Sequence, residues 1–460
     1  MIRLGIAAHA QPGRVRKRVL IASAWLNPER SYDLAIWKKR RNPFAVNAPM
    51  TEHFGLRFLK ANHPEITILE YPTRERFLAE LEKGWDIVGI SFYINETNDA
   101  IEMARAARAR GVGEVWAGNY GAMTKTIAHH FDKTFLGWGE MPLAGELGKQ
   151  PTALVHPATY MHVSWRGIRL QSWGVLFTSR GCNKTCTFCQ TPRFYRKPYS
   201  LDLSTLEPVL REYRSRGVGQ VIVLDENFGY FEEYTEAAID LLHRYGLRWN
   251  CMTRVETLHK NYERWKAHGL CGASLGLESL NQDSLDGARK GNDLSQSREL
   301  LEWMRRDQML VQTFYIIGFE QDTERSIRDN ILELRKFRID APQIQILTPQ
   351  PETRLFQHIE STYGIRTYDY SKYDTTNLVW NHPHVSPERM RELMFWANDQ
   401  LFTARTSLGT AKKIVSRALH LLVTGGWRTF SAPAWAGNID TLSVSRSELI
   451  TYGGRARVGE

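Results

Sequence analysis

The sequence is 460 residues long, room for roughly three domains at ~150 residues each, and 42% of it is hydrophobic, enough for a large core. No apolar run approaches the ~18 residues of a membrane span, the basic N-terminus is broken at His9 and makes a poor secretory signal, and five unevenly spaced cysteines exclude a disulfide framework. A cytoplasmic chain with reduced thiols is expected, and its net charge of +10 suits anionic ligands, nucleic acid or a membrane surface.

In the first third, short apolar runs alternate with helical patterns. "RVLIASAWL" (18–26) predicts a buried strand, and "TEHFGLRFLKANH" a helix with Phe54, Phe58 and Leu59 on one face. Strands at 66–71, 85–93 and 114–120 follow, separated by helices over 74–84 and 98–111. A short helix at 124–131 precedes a last strand and turn, "KTFLGWGE" (133–140). This alternation predicts a doubly wound parallel sheet, whose ligands sit beyond the strand carboxyl ends. The basic clusters, Arg14 to Arg18 and Lys38 to Arg41, are short and have the pattern of solvated faces.

The alternation restarts near residue 165. Strands are predicted at 173–181, 219–228, 247–255, 272–279, 310–319 and 342–351, with helices between them such as "LSTLEPVLREYRSRG". Six βα units suit a partial barrel whose working rim lies at the strand C-termini. After residue 365 the chain is aromatic and irregular, and two helices are predicted near 386–405 and 410–424. The fold class is therefore α/β: a Rossmann-like sheet over 1–160, a partial (βα)6 barrel over 161–365, and a mainly helical extension over 366–460.

Just past the first barrel strand stands "GCNKTCTFCQ", with Cys182, Cys186 and Cys189. Three thiolates on one loop can reach three corners of an iron–sulfur cluster. A structural zinc site wants a fourth ligand, usually from a second knuckle, which is absent. Cys251 and Cys271 fall in or beside strands and have the pattern of buried small hydrophobes.

The CxxxCxxC spacing, with Phe188 before the third cysteine and a six-unit βα array around it, resembles the radical S-adenosylmethionine (SAM) superfamily over roughly residues 170–355. The resemblance implies a [4Fe–4S] cluster on the three cysteines and SAM chelated by the fourth iron. It also implies reductive cleavage to a 5′-deoxyadenosyl radical. Phe188, Asp225, Asn227, Arg254, Glu278, Ser279 and Gly318, beside the cluster or at strand ends, become candidate SAM contacts. The family's usual Gly-Gly-Glu is absent, so Asp225 and Asn227 are expected to replace it. Asp225 as a helix cap and Arg254 in a structural ion pair are the competing readings.

A five-strand domain ahead of such a barrel resembles the cobalamin-binding domain of cobalamin-dependent members. Ser91, Thr97 and the glycines of "AGNYGA" and "LGWGE" (Gly118, Gly121, Gly137, Gly139) are candidate cobalamin contacts. The Asp-x-His-x-x-Gly motif of other cobalamin proteins is missing. Base-off cobalamin without a histidine ligand is implied, and His53 is expected to be structural.

The expected function is methylation of an unactivated carbon. A cobalamin-dependent cyclase or ring-rearranging enzyme is the near rival, and a nucleic-acid-modifying or binding protein the distant one. The related RNA-methylthiolating enzymes carry further cysteines near the N-terminus. Here all five lie at 182 or later, which argues against nucleic acid. An external electron donor and a small-molecule or lipid-like substrate are expected partners. The segment 411–427 could place Ile414, Ala418, Leu421 and Leu422 on one helix face flanked by Lys412, Lys413 and Arg417. That face fits core packing, with a peripheral membrane contact as the sharper alternative.

Overall fold

The computed structural model describes residues 17–25, 52–149, 154–165, 168–403, 406, 408–410 and 412–413. The first sheet contains β1 (Val19–Ser23), β2 (Thr67–Leu69), β3 (Ile87–Ser91), β4 (Glu114–Gly118) and β5 (Lys133–Phe135). All pair parallel in the order β2-β1-β3-β4-β5. Strand alternation sorts its two faces. Leu20, Ala22, Val88 and Ile90 pack with Phe77, Ala100 and Met103 from helices Arg74–Leu81 and Thr97–Arg108. Val19, Ile21 and Ile87 pack with Leu56 and Leu143 from helices Phe54–Asn62 and Glu140–Glu146 on the other side. Helices cover both faces because β1 and β3 are apolar at every position but the last. The order reverses between β1 and β3, so a crevice opens at their carboxyl ends.

The second sheet begins earlier than the sequence pattern indicated. β6 (Thr159–Trp165) and β7 (Ile168–Leu176) form an antiparallel hairpin. Then come β8 (Ser179–Arg180) and β9 (Tyr199–Ser200), a small separate pair, and β10 (Gln220–Val223). β11 (Arg248–Thr253), β12 (Leu270–Glu278), β13 (Leu310–Ile317) and β14 (Ala341–Ile346) complete the run. The order is β14-β13-β12-β11-β10-β7-β6, with six parallel strands and β6 as an antiparallel edge. The predicted strand over 173–181 is thus β7, shifted toward the N-terminus.

Gly174 explains how the hairpin joins the barrel. A Cβ there would lie 2.5 Å from Tyr213 Cε2. Tyr213 is fully buried, and its hydroxyl lies 2.8 Å from the carbonyl oxygens of both Thr159 and Val175. A buried phenol needs such partners, and the missing side chain lets it reach them.

Helix Pro387–Leu401 matches most of the predicted 386–405 segment and packs Met390, Leu393, Met394 and Leu401 into the barrel core. The predicted 410–424 helix lies mostly outside the described residues. So do Ile414, Arg417, Ala418, Leu421 and Leu422, and the basic residues Arg14, Arg16 and Lys38 to Arg41. Among the described residues, no helix is long and apolar enough to cross a membrane.

Candidate active site

The cysteine loop is set by two carboxylates at the end of β10. Asp225, 1% exposed, accepts hydrogen bonds from Thr178 N (2.7 Å), Ser179 N (2.8 Å), Ser179 Oγ (2.6 Å) and the Thr178 hydroxyl. Burial pushes its carboxyl up to about 7, against the pull of those hydrogen bonds. Glu226 then accepts from Gly181 N (2.9 Å), immediately before Cys182. Gly181 has φ +90, and a Cβ there would press on Tyr195 and Pro198. Past it the chain turns, with Cys189 N donating to Cys186 O (3.2 Å). Thr187 anchors the far side: its N–H donates to Ala288 O (2.9 Å), and its carbonyl accepts from Leu355 N (3.0 Å).

All three loop cysteines are free and half-buried, whereas Cys251 and Cys271 are buried in strands as expected. Asn227 Nδ2 faces Cys182 Sγ at 3.7 Å, and Arg254 Nη1 faces Cys186 Sγ at 3.7 Å. Lys184 N donates to Cys182 Sγ (3.4 Å). Burial raises the Cys182 thiol and pushes Cys189 up to about 11, so these thiols keep their protons until a metal cation binds sulfur and releases them to solvent. Among the described residues no three acidic, cysteine or histidine side chains converge on one ion-sized point. A cluster does not require that, because each iron takes its own thiolate. The donor set therefore fits a cluster better than a single ion.

The other strand-end candidates divide by what their side chains already bind. Asn227 is buried, and its Oδ1 has no partner among the described residues. Arg254 is buried, pairs with Glu256 and donates to Lys290 O, so both a cysteine contact and the structural ion pair are present. Glu278 (φ +64) pairs with Lys290 Nζ at 2.8 Å, both groups buried. Ser279 Oγ accepts from Asn281 N (3.0 Å). Phe188 packs against the barrel core. At Gly318 (φ +84) a Cβ would meet Met390 Cε at 2.9 Å, so this glycine makes room for helix Pro387–Leu401. Its N–H donates to Asp322, together with that of Phe319.

Between the two sheets lies a cavity of about 740 Å³. One wall is the crevice of the first sheet, with Ser23, Ser91 and Gly118 at the ends of β1, β3 and β4. The other contains Phe177, Arg180, Leu224, Glu226 and Met252 from the barrel rim. Of the cobalamin candidates, Ser91, Gly118, Gly137 and Gly139 line it. Gly118 is open, with its nearest neighbour 4.0 Å from a Cβ, and a bulky ligand can approach its backbone. Thr97 and Gly121 serve the fold instead. The Thr97 hydroxyl donates to Ile94 O (2.6 Å), and a Cβ at Gly121 would strike Phe92 at 2.2 Å. His53 caps helix Phe54–Asn62 by accepting from Leu56 N (3.2 Å), and burial lowers its pKa. This agrees with its expected structural role.

Several cavity residues went unread in the sequence. Glu226 sits between two residues that were picked out. Arg180 is buried among Phe58, Trp138 and Phe177 rings at 4.5, 4.5 and 5.0 Å, with Glu140 Oε1 at 3.7 Å. Tyr120 stacks on Phe194 (4.2 Å) and places its hydroxyl 3.1 Å from Thr191 Oγ1, joining the two units beside Cys189. Glu52 accepts from Tyr160 N (2.8 Å) on β6 and pairs with Arg57 (3.0 Å), itself paired with buried Glu70. The position of Arg180 two residues before Cys182 was the only local signal for any of them.

A thiolate loop stands past the first parallel strand of the barrel, and residues 176–334 match the family model "Radical SAM superfamily". A Rossmann-like unit faces the rim across the cavity. The chain is similar to two Chlorobaculum tepidum proteins, bacteriochlorophyllide d C-12(1)-methyltransferase and C-8(2)-methyltransferase. Each is 24% identical and covers 73% of this chain, with 78% and 80% of the relative matched. The fold resembles that of the radical SAM methyltransferase TsrM from Kitasatospora setae: TM-score 0.59 at 12% identity, over 96% of this chain and 99% of that one. OxsB, a cobalamin-dependent SAM radical enzyme, aligns at TM-score 0.54 and 12% identity over 95% of this chain and 78% of its own.

Proposed function

We propose that this chain is a cobalamin-dependent radical SAM methyltransferase that methylates an unactivated carbon of a small molecule. The observation that carries the reading is the shared cavity, walled at once by the first sheet's crevice and by the barrel rim beside the cysteine loop. Coverage of the relatives supports methyl transfer over the rival. The two methyltransferases are matched over 78% and 80% of their length, three anaerobic magnesium-protoporphyrin IX monomethyl ester cyclases over 36%, 38% and 51%.

When bound, a [4Fe–4S] cluster with SAM supplies a 5′-deoxyadenosyl radical, and cobalamin supplies the methyl group. In this reading Cys182, Cys186 and Cys189 would hold the cluster, and Asn227 and Arg254 direct N–H donors at the Sγ atoms of Cys182 and Cys186. Asn227 keeps a buried oxygen for the SAM ammonium. Asp225 and Glu226 position the loop, and Ser91, Gly118, Gly137 and Gly139 form the cobalamin wall. The chain up to residue 158 serves as the cobalamin unit, and residues 159 (the start of β6) to 365 serve as the radical unit, so the boundary expected at 160 moves to just before β6, with 366–460 as an extension. Aromatic side chains around the cavity, among them Tyr93, Tyr120, Phe177 and Phe194, exclude water and suit a flat or polycyclic substrate.

The test is turnover with SAM labelled on its methyl group. The expected products are S-adenosylhomocysteine, 5′-deoxyadenosine and a substrate heavier by one labelled methyl. 5′-Deoxyadenosine beside an unmethylated, rearranged product would replace this reading with the cyclase.

A further inference from the structure

Arg180 and Glu140 meet across the seam between the two units, and neither is satisfied there. Glu140 opens helix Glu140–Glu146 in the first unit, and Arg180 ends β8 in the second. Both line the cavity, and Glu140 and Arg180 are only 2% and 8% exposed. Buried charges are normally tied up in direct hydrogen bonds. Here Arg180 Nη1 and Glu140 Oε1 stand 3.7 Å apart, beyond hydrogen-bond reach. Arg180 Nε and Glu140 Oε2 are buried with no partner among the described residues. The rings of Phe58, Trp138 and Phe177 hold the guanidinium in place but offer its N–H groups no oxygen.

The pair restricts what can fill the gap. A single oxygen bonded to both atoms at ~2.9 Å would hold an angle of about 80°, too narrow for good geometry, so two ligand atoms side by side suit it better than one water or hydroxyl. An anion would meet Glu140 and also Glu226, a second carboxylate on the same wall within reach of the guanidinium's charge. A cation would meet Arg180. A neutral group with an acceptor beside a donor satisfies both: its oxygen takes an N–H from Arg180, and its own N–H gives to Glu140. We propose that Arg180 and Glu140 form a carboxamide subsite, which grips a primary amide or lactam edge of a ligand in the cavity. The inference goes beyond the function proposed above, because it concerns what the cavity grips and not the reaction. Two sources carry this chemistry: an amide on the substrate, and the amide side chains on the corrin rim of cobalamin. One partner comes from each unit, so either source would also tie the first unit to the barrel.

The experiment measures binding to the full-length chain by ligand-observed NMR and equilibrium dialysis. The probes are naphthalenes bearing a carboxamide, a carboxylate, a methyl ester or a hydroxymethyl group. The parent should bind the amide about tenfold tighter than the others, because each of those leaves Arg180 or Glu140 unpaired or opposed. Glu140→Gln keeps the shape and can donate, so it should bring the carboxylate level with the amide. Arg180→Met should weaken the amide about tenfold and erase the preference; the near-isosteric Glu140→Gln stands in if that variant misfolds. Cobalamin titration, followed in the visible spectrum, separates the sources. If a corrin amide is held, Glu140→Gln weakens cobalamin binding and cobalamin displaces the naphthamide. If a substrate amide is held, cobalamin binding matches the parent and the naphthamide binds the cobalamin-loaded chain. A parent without amide preference, or a preference that survives in both variants, overturns the proposal. A parent that keeps the preference but binds no cobalamin upholds the subsite and overturns the cobalamin reading alone.

Discussion

Removing the Asp225 carboxylate should detach the cysteine loop from the barrel. In Asp225→Ala, two buried backbone N–H groups, those of Thr178 and Ser179, lose their acceptor. Stranding a buried donor costs about 1–3 kcal/mol, so the pair predicts a loss of about 2–6 kcal/mol. The two hydroxyls can rotate and add little. Asp225→Asn keeps one carbonyl oxygen, which serves one N–H, and should lose about half as much. The assay is equilibrium denaturation of the iron-free chain at pH 8, where the carboxyl, held at about 7, is largely ionised. Iron retention is measured in parallel and should fall in the same order, Ala more than Asn. A loss under about 1 kcal/mol for Asp225→Ala, or equal losses for the two variants, would refute the claim that this carboxylate sets the loop.

Replacing Cys182, Cys186 and Cys189 with alanine together should abolish the iron, about four per chain by cluster stoichiometry, and the cluster absorbance. Cys251→Ala and Cys271→Ala should keep both, by iron assay and visible spectra. Gly121→Ala should destabilise the first unit by about 1–3 kcal/mol, because its Cβ would collide with Phe92. Gly118→Ala should leave stability unchanged and weaken cobalamin binding, read by spectral titration; a base-off spectrum is expected in the parent. Glu52 gives a pH signature. Burial lifts its carboxyl from 4.5 to about 7, opposed by Arg57, so between those values the folded chain keeps a proton that the unfolded chain has lost. Its contribution to stability is therefore full below about pH 4.5 and declines as pH rises through 7. Glu52→Gln should flatten that slope in denaturation midpoints measured from pH 5 to 8.

Much of this architecture was legible because each buried parallel strand is a short apolar run bounded by helical patterns. β1, β3, β10 and β13 all have that form. The β6–β7 hairpin was not legible. Its pairing depends on Gly174 yielding to Tyr213, 39 residues later, and no periodicity records such a contact. The cysteines were legible from their spacing and from their place just past a predicted strand. Their surroundings were harder. Asp225 was picked out as a ligand contact, yet its oxygens are occupied by Thr178 and Ser179. Its neighbour Glu226, which faces the cavity, was passed over. Consecutive residues at a strand end point in different directions, and the sequence does not say which faces inward. Gly118 and Gly121 look alike in "AGNYGA"; one is open to the cavity and the other accommodates Phe92. The Lys290–Glu278 and Glu52–Tyr160 contacts likewise become visible only once the chain is folded.

The bond from Tyr160 N to Glu52 has a consequence for solubility. β6 is the last strand of its sheet, and an outermost strand offers its outward N–H and C=O groups to any passing chain. Tyr160 presents one such donor, and a carboxylate from the neighbouring unit already holds it. Docking of the first unit therefore also protects this edge against strand addition. Conditions that pry the two units apart should favour β-type self-association at β6 before either sheet unravels.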